Sequence, residues 1–256
     1  MRGEPLIRSR FTRCRSAAPL TRRGVALAVG CGIVAVLAIG PVGVPPAAAR
    51  PGVYGLDVSG YQPVVDWSAV ASAGAQFAYI KATEGTGLVN PDFASQYDGA
   101  YQAGLIRGTY HFALPNLSSG AAQARYFVAH GGGWSADGHT LPGALDIESN
   151  PYGPRCYGLS RSAMVAWIAS FTDAYQALTT VWPVIYTATK WWAKCTGNYS
   201  GFADLDPLWI TGPTPGTLPA GWSFYTFWQY ASDGTFPGDQ DLFNGSSHQL
   251  LRIALG

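Results

Sequence analysis

Val53-Tyr54-Gly55-Leu56-Asp57, then Asp66-Trp67-Ser68-Ala69-Val70, then Phe77-Ala78-Tyr79-Ile80-Lys81-Ala82-Thr83 is the stretch on which the fold turns. The first and third runs read as strands, the third being rich in aromatic and β-branched residues. The run between them starts a helix that Gly74 ends. Outward from this unit the alternation continues. A helix over 91–103 has Asn90 as its N-cap, Pro91 at its first position and Gly104 as its stop. Strands follow at 106–113, 143–148 and 181–186, with helices at 121–129, 161–178 (capped by Ser160) and 190–194. Strands at 208–210 and 225–230 and a tail helix at 249–254 complete the pattern. Strands alternating with helices build a mostly parallel sheet. About eight repeats, with helices missing toward the end, point to an α/β fold: a single-domain, modified TIM-like (β/α) barrel with a reduced number of helices. An open doubly wound sheet is the alternative, but no Gly-x-Gly-x-x-Gly follows the first strand, and Gly131-Gly132-Gly133 follows a helix.

The first 49 residues read as a leader outside this domain. Seven arginines against one glutamate, an apolar run over 25–39 and the ending Ala47-Ala48-Ala49 make a secretory signal peptide. The apolar run is shorter than the roughly 20 residues a membrane anchor needs. The expected organisation is therefore a signal peptide over 1–49 and a catalytic barrel over 50–256. The mature protein is expected to be secreted, extracellular or cell-wall associated, with no stable membrane association after cleavage. The whole chain is formally +1. Removing the leader's seven arginines and one glutamate from 16 basic and 15 acidic residues leaves nine and fourteen, a net of −5. No basic footprint for nucleic acid remains. Two cysteines stay in the mature part, Cys156 and Cys195, and in an oxidising compartment they are expected to pair. Two separate thiols are the alternative.

The acids are few, and several fall at strand ends: Asp57, Glu84, Asp146, Glu148 and Asp241. In a barrel those ends form the active face. Asp146-Ile147-Glu148 places two carboxyls on the same side of one strand, about 6.6 Å apart at the backbone, with Ile147 turned the other way. Glycoside hydrolysis needs such a pair, one carboxyl protonated at the leaving oxygen and one ionised. Neighbouring like charges push one pKa up and keep that proton in place. Tyr110, Tyr186, Trp209 and Trp228 lie on expected strands, where they serve either as core or, facing the barrel mouth, as platforms for sugar rings. Glu84 is a candidate for positioning Asp57 or binding sugar hydroxyls. His111 alternates away from Tyr110 and is expected to pack behind the site. No His-Glu-x-x-His or other close ligand pair calls for a metal, and no cofactor motif is present.

Five motifs then occur in register: Gly55-Leu56-Asp57-Val58-Ser59-Gly60-Tyr61-Gln62, Lys81-Ala82-Thr83-Glu84-Gly85, Gly108-Thr109-Tyr110-His111-Phe112, Leu145-Asp146-Ile147-Glu148 and Trp228-Gln229-Tyr230. Together they resemble glycoside hydrolase family 25, the Chalaropsis-type lysozymes or N-acetylmuramidases, over nearly all of residues 53–245. The resemblance implies a modified barrel that hydrolyses the β-1,4 bond between N-acetylmuramic acid and N-acetylglucosamine, with peptidoglycan glycan strands as partner and a monomer as the working unit. It implies Glu148 as general acid, Asp146 as the carboxylate assisting the substrate's acetamido group or a water, and Asp57 as a site aspartate. Asp241 matches the aspartate near the last strand. Pro237-Gly238-Asp239-Gln240-Asp241-Leu242-Phe243-Asn244 departs from the family's pattern there, so Asp239 is the other candidate. A barrel that binds wall glycan without cutting it is the competing function, and an exported amidase, which lacks its metal ligands or Cys–His pair, is a third.

Overall fold

The computed structural model describes residues 52–256; the expected leader lies outside the described residues. The chain runs β1 (Val53–Val58), α1 (Trp67–Ser72), β2 (Phe77–Glu84), β3 (Leu88–Val89), α2 (Phe93–Gln102), β4 (Ile106–Phe112), α3 (Gly120–Phe127), β5 (Ala144–Asp146), α4 (Arg161–Thr179), β6 (Val184–Thr187), α5 (Thr189–Thr196), β7 (Leu208–Thr211), β8 (Phe227–Ala231), β9 (Asp239–Phe243) and α6 (Ser247–Leu255). Around the sheet the order is β1-β2-β4-β5-β6-β7-β8-β9, and β9 pairs back onto β1, so eight strands close a barrel. β3 is a two-residue hairpin addition to β2. From β1 to β8 the barrel pairs are parallel, while β9 runs antiparallel to both of its neighbours.

Two differences from the expected elements matter for the site. The segment after β8 forms a further strand, Asp239–Phe243, where sequence reading placed only an acid past the last strand. Its only apolar residues, Leu242 and Phe243, are adjacent and give no alternating pattern to signal a strand; pairing on both sides supplies the stability. The helix expected after Asn90 starts later, at Phe93, although Asn90 Oδ1 still accepts from Asp92 N as an N-cap would, while its Nδ2 donates to Lys81 O and Gln96 Oε1.

Alternation along each strand sorts the core into an inner and an outer set. Inside the barrel Phe77, Tyr79, Trp209, Phe227 and Phe243 pack ring on ring, with Tyr79 and Trp209 centroids 4.7 Å apart. Gly55 and Gly108 make room for them: a Cβ at either would run into the ring of Phe77 or Tyr79. Leu250 and Ala254 of α6 join this interior set. Outside the barrel, Leu145 and Ile147 pack with Met164, Ile168 and Phe171 of α4. These helical residues recur at three- and four-residue spacing on one face, and Ser160 caps the helix by accepting from Ala163 N. Each large side chain so buried contributes about 1.5–3 kcal/mol.

Cys156 and Cys195 form a disulfide. It ties the β5–α4 loop, which carries Glu148, Pro151 and Tyr152, to the end of α5. Trp191 Nε1 reinforces the tie by donating to Arg155 O at 3.1 Å. A rigid wall for one side of the barrel mouth results.

Candidate active site

The mouth at the C-terminal ends of the parallel strands opens into a cleft of about 380 Å³. Asp57, Glu84, Tyr110, Asp146, Glu148, Tyr186 and Trp209, all singled out from sequence, line it. So does Asp239, the alternative candidate to Asp241, and so do residues the sequence reading did not choose, among them Tyr61, Lys81, Tyr152 and Gln229. Because β9 runs antiparallel, its first residue, Asp239, lies at the same end of the barrel as the last residues of β1, opposite Asp57 in register.

Asp146 ends β5, is 8% exposed, and Glu148 follows two positions on. Ile147 between them is fully buried, and its peptide is held on both sides: N donates to Tyr186 O at 3.0 Å, and O accepts from Thr187 Oγ1 at 2.8 Å. Those bonds fix the directions in which both acids leave the chain. Burial and the charge of Glu148 hold the Asp146 carboxyl well above its ordinary range, and the Lys81 ammonium opposes them. Burial and Asp239 likewise push Glu148 up, again against Lys81. The pair therefore keeps a proton at a pH where free carboxyls have lost theirs.

On the facing wall, burial, followed by the charge of Asp239, raises Asp57 to about 7. Gln229 Nε2 donates to Asp57 Oδ2 at 2.8 Å and to Asp239 Oδ2 at 3.0 Å. Lys81 Nζ pairs with Glu84 Oε2 at 2.5 Å and sits 4.9 Å from the centre of the Phe112 ring. Glu84 accepts at its other oxygen from Tyr152 OH at 2.6 Å. Its partners are thus a lysine and a rim tyrosine, not Asp57. Tyr61 and Tyr152, 92% and 71% exposed, flank the entrance as aromatic surfaces.

Two residues chosen from sequence lie elsewhere. Asp241 is fully buried below the cleft, where its Oδ1 accepts from Trp209 Nε1 at 3.0 Å. Burial, then the charge of Asp57, pushes the Asp241 carboxyl well above its ordinary range. The cleft position expected of the late aspartate is occupied by Asp239. Trp228 belongs to the outer core, and its Nε1 donates to Gly212 O at 2.7 Å. Strand alternation turns Gln229 inward and its neighbours outward, a signal already present in Trp228-Gln229-Tyr230 but masked by the conspicuous tryptophan. His111 packs behind the site, fully buried between Thr83 Oγ1 and Gln123 Oε1, and burial lowers it to about 4. Among the described residues no group of three or more His, Cys, Asp or Glu is placed to hold a metal ion.

The sequence model of the Glycosyl hydrolases family 25 matches residues 56–239, from β1 through the start of β9. The chain belongs to this family. Like its fellow members it is a glycoside hydrolase. The N,O-diacetylmuramidase of Chalaropsis sp is 50% identical to it over 210 residues, covering 80% of this chain and 100% of that protein. Lysozyme M1 of Streptomyces globisporus is 51% identical over 210 residues, covering 79% of this chain and 71% of that protein. Among solved structures, the muramidase from Acremonium alcalophilum superposes with a TM-score of 0.78 at 56% identity, covering 80% of this chain and 99% of that one. The closed barrel with few helices is thus the family 25 architecture.

Proposed function

We propose that this family 25 hydrolase is an exported lysozyme that cuts the β-1,4 bond between N-acetylmuramic acid and N-acetylglucosamine in peptidoglycan. The observation that carries the reading is the emergence of Asp146 and Glu148 into one cleft with raised affinity for protons. Glu148, the more exposed of the two, gives its proton to the bridging oxygen as the glycosidic bond breaks. With the pair's proton on Glu148, Asp146 is the ionised member, which supports the positive charge on the muramic sugar and orients the attacking oxygen, from the acetamido group or a water. Once Glu148 has given up its proton the two carboxylates repel, and the Lys81 ammonium, which acts on both, offsets part of that repulsion. Tyr110, Tyr186 and Trp209 shape the floor for sugar rings, and Asp57, Glu84 and Asp239 offer acceptors for hydroxyl and amide protons.

Export is part of the proposal. Residues 1–49 act as a cleaved signal peptide, and the Cys156–Cys195 bridge suits an oxidising compartment. Among the described residues no helix is long and apolar enough to cross a membrane. The working unit is taken to be a monomer on glycan strands, with no role for nucleic acid.

Incubating the mature protein with purified peptidoglycan and counting new reducing ends against new amino groups tests the function. Reducing ends carrying muramic acid, without new amino groups, are expected. Amino groups alone would indicate an amidase, and binding without either product a non-catalytic barrel.

A further inference from the structure

Across the barrel from β5, neighbouring strands bring their polar groups onto one carboxamide. Gln229 of β8 makes four hydrogen bonds. Its Oε1 accepts from Tyr186 OH and from Thr211 Oγ1, each at 2.8 Å. Its Nε2 donates to Asp57 Oδ2 at 2.8 Å and Asp239 Oδ2 at 3.0 Å. With both acids ionised, only one orientation of the amide satisfies this set: turned over, its oxygen would oppose two carboxylate oxygens without protons. The two hydroxyls therefore lock the amide so that both of its protons point at the acids. Because one nitrogen bonds both acids, their oxygens lie no farther apart than the two bonds laid end to end. Two carboxylates so close repel, and a shared donor between them offsets the repulsion.

We propose that Gln229 is a positioning residue of the hydrolytic site, its locked carboxamide clamping Asp57 of β1 and Asp239 of β9 together so that both carboxyls face the sugar in the cleft. The inference rests on the lysozyme reading for what the clamp is used for, but the clamp itself is a property of the free protein. Around Asp57 the titratable neighbours are Asp239 and Asp241 from β9, Glu148 and Asp146 from the β5 end, Tyr110 from β4 and Tyr186 from β6. The Gln229 bond lowers the proton affinity of Asp57 against the raising effects of burial and Asp239. Loss of the donor moves Asp57 ionisation to higher pH.

Two variants and two readouts test the clamp. Gln229→Glu keeps the shape but replaces the donor by an acceptor. Thr211→Val keeps the fold of the strand end and removes one of the two locks. Carboxyl-carbon NMR titration of Asp57, without substrate, should start near 7 in the parent and shift upward in both variants, more in Gln229→Glu. Reducing-end release should show kcat lowered about 100-fold by Gln229→Glu and about 3–10-fold by Thr211→Val, the scale of one lost charge-assisted bond and of one weakened bond. The pH profile should shift in the direction of the titration. A residue that merely filled space would lower Tm and leave the titration and the pH profile of the folded enzyme in place. That result, in either variant, overturns the proposal. Should Gln229→Glu fail to fold, Thr211→Val decides alone. A parent that releases no reducing ends sinks the lysozyme reading instead, while the titration still judges the clamp.

Discussion

Asp146 and Glu148 open into the same cleft while Ile147, the residue between them, packs on the far side of the sheet against α4. The fold therefore holds two acids of one strand end close together in a partly dry place, where ionising both is unfavourable. That cost is stored by the rest of the barrel and is recovered as proton affinity at the reacting bond.

Replacing the buried member exposes the trade directly. Asp146→Asn removes the assisting carboxylate and should lower kcat at least ~100-fold. The folded pKa of Asp146 lies above its unfolded value, so its presence reduces stability progressively as pH rises from the ordinary carboxyl range. The variant should accordingly melt higher than the parent at pH 8 and near the parent at pH 4. Calorimetry at the two pH values, run beside the activity assay, checks both halves.

A similar sign applies away from the cleft. Asp206 is 1% exposed, and burial, followed by the charge of Asp173, raises it from 3.8 to about 8. Below about 4 both folded and unfolded chains carry its proton, so it has no effect there. Between about 4 and 8 only the folded chain keeps the proton, so the unfolded chain gains relative stability with each step in pH. Asp206→Asn should flatten that slope, raising Tm at pH 8–9 with little change at pH 4. An unaltered slope would show that Asp206 ionises normally in the folded protein.

The disulfide should matter to stability and to the cleft together. Closing a 39-residue separation contributes about 2–4 kcal/mol, which for a chain of this size is a fall in Tm of roughly 10 °C when Cys156→Ser and Cys195→Ser are combined. The freed loop carries Pro151 and Tyr152 of the cleft wall together with Glu148, so KM for glycan strands should rise and kcat should fall. An unchanged KM would place Pro151 and Tyr152 outside substrate binding.

Much of this architecture is legible in the chain before any coordinates. The strand–helix alternation gives the barrel, Ser160 announces α4, and Asp146-Ile147-Glu148 announces an acid pair by strand alternation alone. The remainder is nonlocal. Asp239 enters the cleft only because β9 runs antiparallel and meets Asp57 in register, and no local pattern encodes that pairing. Asp241 is drawn down to the Trp209 indole by the same register. Trp228 has the look of a sugar platform, an aromatic at a strand end, whereas the alternation of β8 turns Gln229 toward the cleft. Glu84 is placed at the site by its motif, but its partners, Lys81 and Tyr152, come from three and 68 residues away.

The most direct measurement is the rate of reducing-end release from purified peptidoglycan by Glu148→Gln, with folding confirmed by an unchanged melting profile. Loss of the transferable proton should reduce that rate at least ~100-fold. A folded variant that turns over at the parental rate would show that another group protonates the leaving oxygen, and the division of labour between Glu148 as acid and Asp146 as assisting carboxylate would be wrong.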